Sequence, residues 1–177
     1  MSFGGSSMAA RRSRDDRGAA AVEFALIAPF LFMLLFGMIT TGLAYNDHVA
    51  VANAVREGAR LGSALDYTQG GWATSVRDRV KQTYFNSGST LTDAQICVKI
   101  VDSTHNNANS SNSWTGASCG TAPDLTSFTM ATGSCAVVVW VKKPETILLV
   151  VAPTLSFDIG AKSVTYYGRT QGSCTAS

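Results

Sequence analysis

A chain of 177 residues has room for one domain of ordinary size and a short appendage. Its net charge of +2 and the lack of a Lys/Arg-rich face interleaved with aromatics argue against a nucleic-acid binder. Only 15% of residues are charged against 46% hydrophobic, and the deficit is local, because one long window carries no charge at all.

The first ten residues, rich in Gly, Ser and Ala, are expected to be disordered. Arg11, Arg12, Arg14 and Arg17 follow. From Phe24 to Tyr45 the chain reads FALIAPFLFMLLFGMITTGLAY, about 22 uncharged residues and roughly 33 Å as a helix, enough to cross a bilayer core. A cleavable secretory signal usually has an apolar run of about 7–15 residues. The longer run here favours a spanning anchor, although Thr41-Gly42-Leu43-Ala44 offers a poor signal-peptidase site that would free a domain starting at Tyr45. Pro29 removes a backbone donor and should kink or loosen the helix, and Gly37 is a second weak point. Beyond the apolar run the nearest cations are Arg56 and Arg60, so the arginine excess places the N-terminus in the cytoplasm and the rest outside.

Glu23 stands at the mouth of this run, where a carboxylate is costly unless it is paired or reaches the interface. Gly18 lies five residues earlier. Were the chain cut after Gly18, the new ammonium on Ala19 would sit about one helical turn from Glu23, within reach of a neighbour's carboxylate in a bundle of such helices. Arg17-Gly18 followed by Ala19-Ala20-Ala21-Val22-Glu23-Phe24-Ala25-Leu26-Ile27-Ala28-Pro29 resembles the prepilins of type IV pilus systems. It is most similar to the TadE/TadG-like minor pilins (pseudopilins) of the tight-adherence, or Tad/Flp, machinery. The resemblance implies cleavage between Gly18 and Ala19 by a prepilin peptidase and a role for Glu23, Phe24 and Pro29 in assembly. The partners it implies are other pilin subunits, the membrane, and the Tad assembly platform with its ATPase. Major Flp pilins are much shorter and often carry Glu-Tyr where this chain has Glu23-Phe24, so the long C-terminal region points to a minor subunit. Longer TadG-like members carry a metal site with an Asp-x-Ser-x-Ser pattern, which Asp102-Ser103-Thr104 does not continue, so neither metal nor cofactor is expected.

After the apolar run, Asn46 to Leu65 stays helix-permissive, with Val51, Val55, Gly58, Gly62 and Leu65 on one stripe facing a core, and Gly70-Gly71 as the stop. Trp72, Val76, Val80 and Tyr84 predict a short amphipathic helix with Arg77, Asp78, Arg79 and Lys81 as its solvated face. Strands are expected at Ile96–Val101, at Cys135–Val141 up to the breaker Lys142-Lys143-Pro144, and through Leu155, Phe157, Ile159 and Ala161 toward Tyr166-Tyr167. The run Thr146–Ala152 between Pro144 and Pro153 is too short to span a membrane and reads as a core segment, with a contact patch for a partner as the alternative. Residues 103–133 read as a long polar surface loop containing Cys119, and Asn109-Ser110-Ser111 forms a glycosylation sequon.

Cys97, Cys119, Cys135 and Cys174 all follow the apolar run, and their even number fits disulfides in an oxidising space; free buried thiols are the alternative. Three pairings are open. His48 and His105 are the only histidines, and no nucleophile elbow, phosphate loop or metal motif accompanies them, so an enzyme is not expected. The expected plan is α+β. A leader (1–18) and a transmembrane helix (19–45) precede an extracytoplasmic domain (46–177), in which a small antiparallel sheet packs on the outer half of the long helix. The rival function is an unprocessed, single-pass membrane-anchored surface binding protein or adhesin.

Overall fold

Ala, Leu, Met and Phe dominate the stretch after the basic leader, and no residue there interrupts helix formation except Pro29 and isolated glycines. The computed structural model describes residues 9–85, 87–88, 90–108, 112–147 and 155–168. Its first element is one helix, α1, Ala9–Ala64, 56 residues long. It runs on through Pro29 and Gly37, so the expected weak points do not break it. The hydroxyls of Thr40 and Thr41 donate to the Gly37 carbonyl at 3.1 and 2.8 Å, supplying acceptor-side bonds next to the glycine. Most of the stretch expected to be disordered lies outside the described residues, but Ala9 and Ala10 are already helical. The helix also stops earlier than Gly70-Gly71. It ends at Ala64, and Asp66 closes the following turn by accepting from the Thr68 amide at 3.0 Å. Gly71, at φ 84°, serves instead as the left-handed residue that admits the second helix.

That helix, α2, Trp72–Phe85, buries Trp72, Ala73, Val76, Val80 and Tyr84 against α1. On α1, Val51, Ala54, Val55 and Ala59 are wholly buried, and Gly58 and Gly62 are buried beside them, as the small-residue stripe predicts. The glycines are required by proximity. A Cβ on Gly58 would come within 2.4 Å of the Val80 side chain, and one on Gly62 within 2.9 Å of Val137. The charges on α2 are not a free solvated face. Arg77 lies 4.2 Å over the Trp114 ring and pairs with Asp78 and Asp93, Lys81 pairs with Asp93, and Arg79 reaches Glu57 on α1.

The sheet is antiparallel in the order β2-β1-β3-β4, with β1 Ile96–Val101, β2 Trp114–Thr115, β3 Ala136–Ile147 and β4 Leu155–Tyr166. One face meets the helices: Ile96, Val98 and Ile100 of β1, Val137, Val139 and Val141 of β3, and Ile159 of β4 join the α1–α2 core. β3 outruns its expected end and passes straight through Lys142-Lys143-Pro144. Pairing with β1 stops at Ile96↔Val141, so beyond that point β3 has a neighbour only on the β4 side, where Pro144 faces Asp158. A proline's missing donor is tolerated on a strand paired on one side. Thr146 and Ile147 close β3, and the remainder of the apolar run 148–152 lies outside the described residues, as does the sequon.

The second sheet face is buried as well. Cys97, Val101, Ala136, Val138 and Trp140 pack against Cys119, Leu125, Phe128 and Met130 from the polar segment. That segment is therefore a cover for the sheet rather than a simple surface loop, and it contributes β2. Two buried faces explain why Val137 to Val141 is continuously apolar instead of alternating. Indole N–H groups fasten the pieces: Trp72 to the Gly62 carbonyl, Trp114 to that of Asp93, and Trp140 to that of Cys119, at 3.0, 3.2 and 3.1 Å.

Candidate functional site

Gly18, Ala19, Glu23, Phe24 and Pro29 all lie on α1, each exposed. A Cβ at Gly18 would meet no atom within 4 Å outside its own helical turns, and both Gly18 and Ala19 are exposed, so no described side chain crowds the Gly18–Ala19 peptide. It is nevertheless helical, and a mid-helix glycine weakens its turn by about 1 kcal/mol relative to alanine. Four residues separate Ala19 from Glu23, about 6 Å along the axis. Glu23 makes no hydrogen bond or ion pair among the described residues.

The apolar side chains that follow are uncovered. Phe24, Leu26, Phe30, Met38 and Leu43 are among the large hydrophobic residues left exposed, and the 18-residue window with mean hydropathy 2.3 has none of its residues buried in the fold. A soluble core helix would be covered by its own domain. This one is long and apolar enough to cross a membrane, and it needs a covering that the described residues do not supply.

Where that helix meets the domain, four polar groups form a tie. Asp47 accepts from the Tyr84 hydroxyl and from Lys143 Nζ, the latter at 2.8 Å; Lys143 also bonds Tyr84 Oη at 3.0 Å and pairs with Glu145. Burial pushes the Asp47 carboxyl up, but the Lys143 and Tyr84 hydrogen bonds outweigh it and hold it below the usual carboxylate range. Burial likewise pushes the Lys143 ammonium down, and its three partners overcome this and raise it. Side chains of α1, α2 and β3 thus converge just past the apolar stretch. Sequence reasoning missed this group because Asp47, Tyr84 and Lys143 are dozens of residues apart. The only local hint was a charge two residues beyond Tyr45.

Among the cysteines, Cys97 on β1 and Cys119 form a disulfide with Cα atoms 5.9 Å apart, which pins the sheet's cover to β1. Cys135 is disulfide-bonded too, and Cys174 lies outside the described residues. Asp102 and His105 have structural duties. Asp102 accepts from the amides of Thr104 and Asn106 at 2.9 and 3.0 Å and closes a turn. His105 bonds the Phe128 carbonyl at 2.9 Å, and His48 is exposed on α1. Among the described residues no group of three or more His, Cys, Asp or Glu could hold a metal.

Residues 18–60 match the family model of TadE-like proteins. The match opens at Gly18, covers the entire apolar stretch and continues into the domain half of α1. It associates this part of the chain with the Tad pilus system, in which the TadE-like family is a structural component. No curated protein and no solved structure matches the chain.

Proposed function

We propose that the chain is a minor pilin of the Tad type. It is inserted with residues 1–18 in the cytoplasm, spans the membrane with residues 19–45, and carries the α+β domain outside. A prepilin peptidase cuts between Gly18 and Ala19, and the mature helix moves from lipid into, or to the end of, a pilus used in adhesion or related surface functions. The observation that carries this reading is an apolar helix left bare by the described fold, with one carboxylate at its mouth, Glu23, that has no partner among the described residues.

The chemistry follows from that pairing problem. Lipid covers the apolar side chains before assembly, and neighbouring helices cover them afterwards. Glu23 can leave the interface only if a cation meets it, because an unpaired charge in an apolar setting is costly. Cleavage creates that cation on Ala19, so only processed chains pack without penalty. Gly18 lets the helix unwind locally for the peptidase. The platform and ATPase of the Tad machinery would supply the work of extraction, and the outer domain the contacts that start, cap or anchor the fibre.

N-terminal sequencing of the protein extracted from membranes tests the reading. A start at Ala19 is expected. An intact leader would favour the unprocessed membrane-anchored binding protein, and a start at Tyr45 a secreted domain; either would overturn the minor-pilin reading.

A further inference from the structure

The antiparallel contact of α1 and α2 leaves a groove of about 530 Å³ on their outer side. Asn53, Arg56, Glu57 and Arg60 line it from α1 at helical spacing, and Arg79 and Gln82 line it from α2. Three guanidinium groups face one carboxylate. Glu57 is shared, bonded by Arg60 Nε at 3.0 Å and by Arg79 Nη2 at 2.6 Å. Arg56 has no partner among the described residues, and the Arg79 side chain stays 40% exposed while it bonds Glu57. The groove therefore carries two more cations than anions, and its exposed guanidinium edges can take an oxygen acid that no described residue supplies.

We propose that this groove is a docking site for an acidic segment of a partner protein, whose Asp or Glu carboxylates seat against Arg56, Arg60 and Arg79. Guanidinium forks match planar carboxylates in bidentate geometry. The site holds no aromatic side chain on which bases could stack, which disfavours nucleic acid. Lipid is excluded by position, a step that rests on the membrane-anchored reading. Asn53 to Arg60 stand about 12–22 Å along α1 beyond Tyr45, whereas the headgroup layer adds only about 5–8 Å to each side of the hydrocarbon core. The occupant therefore belongs to another protein that comes alongside the domain.

The test uses the full-length chain in phosphatidylcholine nanodiscs, titrated into a fluorescein-labelled hexaglutamate peptide and followed by anisotropy. Saturable binding that weakens with added salt is expected, and Arg56→Glu/Arg60→Glu should reduce affinity by about tenfold or more. The milder Arg56→Gln/Arg60→Gln should give an intermediate loss, and serves if the reversal proves unstable. Lys142→Glu/Lys162→Glu, with the same change in net charge on β3 and β4 outside the groove's lining, should stay within about twofold of the parent. Equal losses from both reversals would reduce the effect to bulk charge and overturn the site. Tighter binding of hexathymidylate, or binding only in phosphatidylglycerol nanodiscs, would also overturn it. An intact leader on sequencing would remove the pilin reading yet leave this titration interpretable.

Discussion

At Glu23 the proposal turns on a single ionisable group, and Glu23→Ala separates the two steps it joins. Cleavage after Gly18 should proceed at close to the normal rate, read as the mobility shift of the processed chain, while recovery of the subunit in sheared fibres should fall severely. Normal incorporation would remove the charge-pairing argument. Lys143 is the corresponding residue of the domain. Lys143→Met should cost about 2 kcal/mol, because Asp47 and Glu145 then face each other without a cation. The pH response has two limbs. Asp47 is held below its usual value, so its contribution is present above about pH 4 and is lost as acid carries it through its lowered folded value. Lys143 is held above its usual value, so its contribution is intact below about pH 10 and goes only as alkali passes the raised one. Melting temperature measured against pH should show a plateau with both shoulders in the parent, and a shallower acid shoulder in Lys143→Met.

Among the elements, the two helices depend on closeness more than on charge. Gly58→Val should destabilise by about 1–3 kcal/mol, since its side chain would enter space held by the stiff, fully buried Val80. Urea unfolding of the full chain in detergent measures this; a neutral result would mean that α2 can shift outward. The same elements show where sequence reading works and where it stops. α2 was legible because Trp72, Val76, Val80 and Tyr84 repeat at helical spacing, and the end of β4 because its alternation is clean. Pro144 misled because a breaker in the sequence says nothing about which side of a strand is paired. The cover over the second sheet face was hidden among polar residues; the only local signals were Leu125, Phe128 and Met130. On α1, the apolar run and Glu23 were readable by position alone, whereas the arginine groove exists only because Gly58 lets a second helix come near. The domain tie required partners from three elements and could not be foreseen.

For the whole molecule, stability and attachment are separate problems. The domain has its own two-faced core, locked by Cys97–Cys119 across 22 residues of chain. Replacing both cysteines with serine should cost about 3 kcal/mol through freed chain entropy, seen as a lower denaturation midpoint in non-reducing buffer. No change would indicate that Trp140 and the Phe128–Tyr166 contact, with ring centres 4.8 Å apart, hold the cover unaided. The apolar half of α1 adds nothing to that core, so the molecule gives up a large oily surface that pays off only when something else covers it. Because α1 is unbroken from Ala9 to Ala64 and is clamped to the sheet at Asp47, the chain has no swivel between its two halves. A rotation imposed on the buried half must turn the outer domain through the same angle. The azimuth at which a subunit's root seats among its neighbours would then dictate the compass bearing of everything it displays.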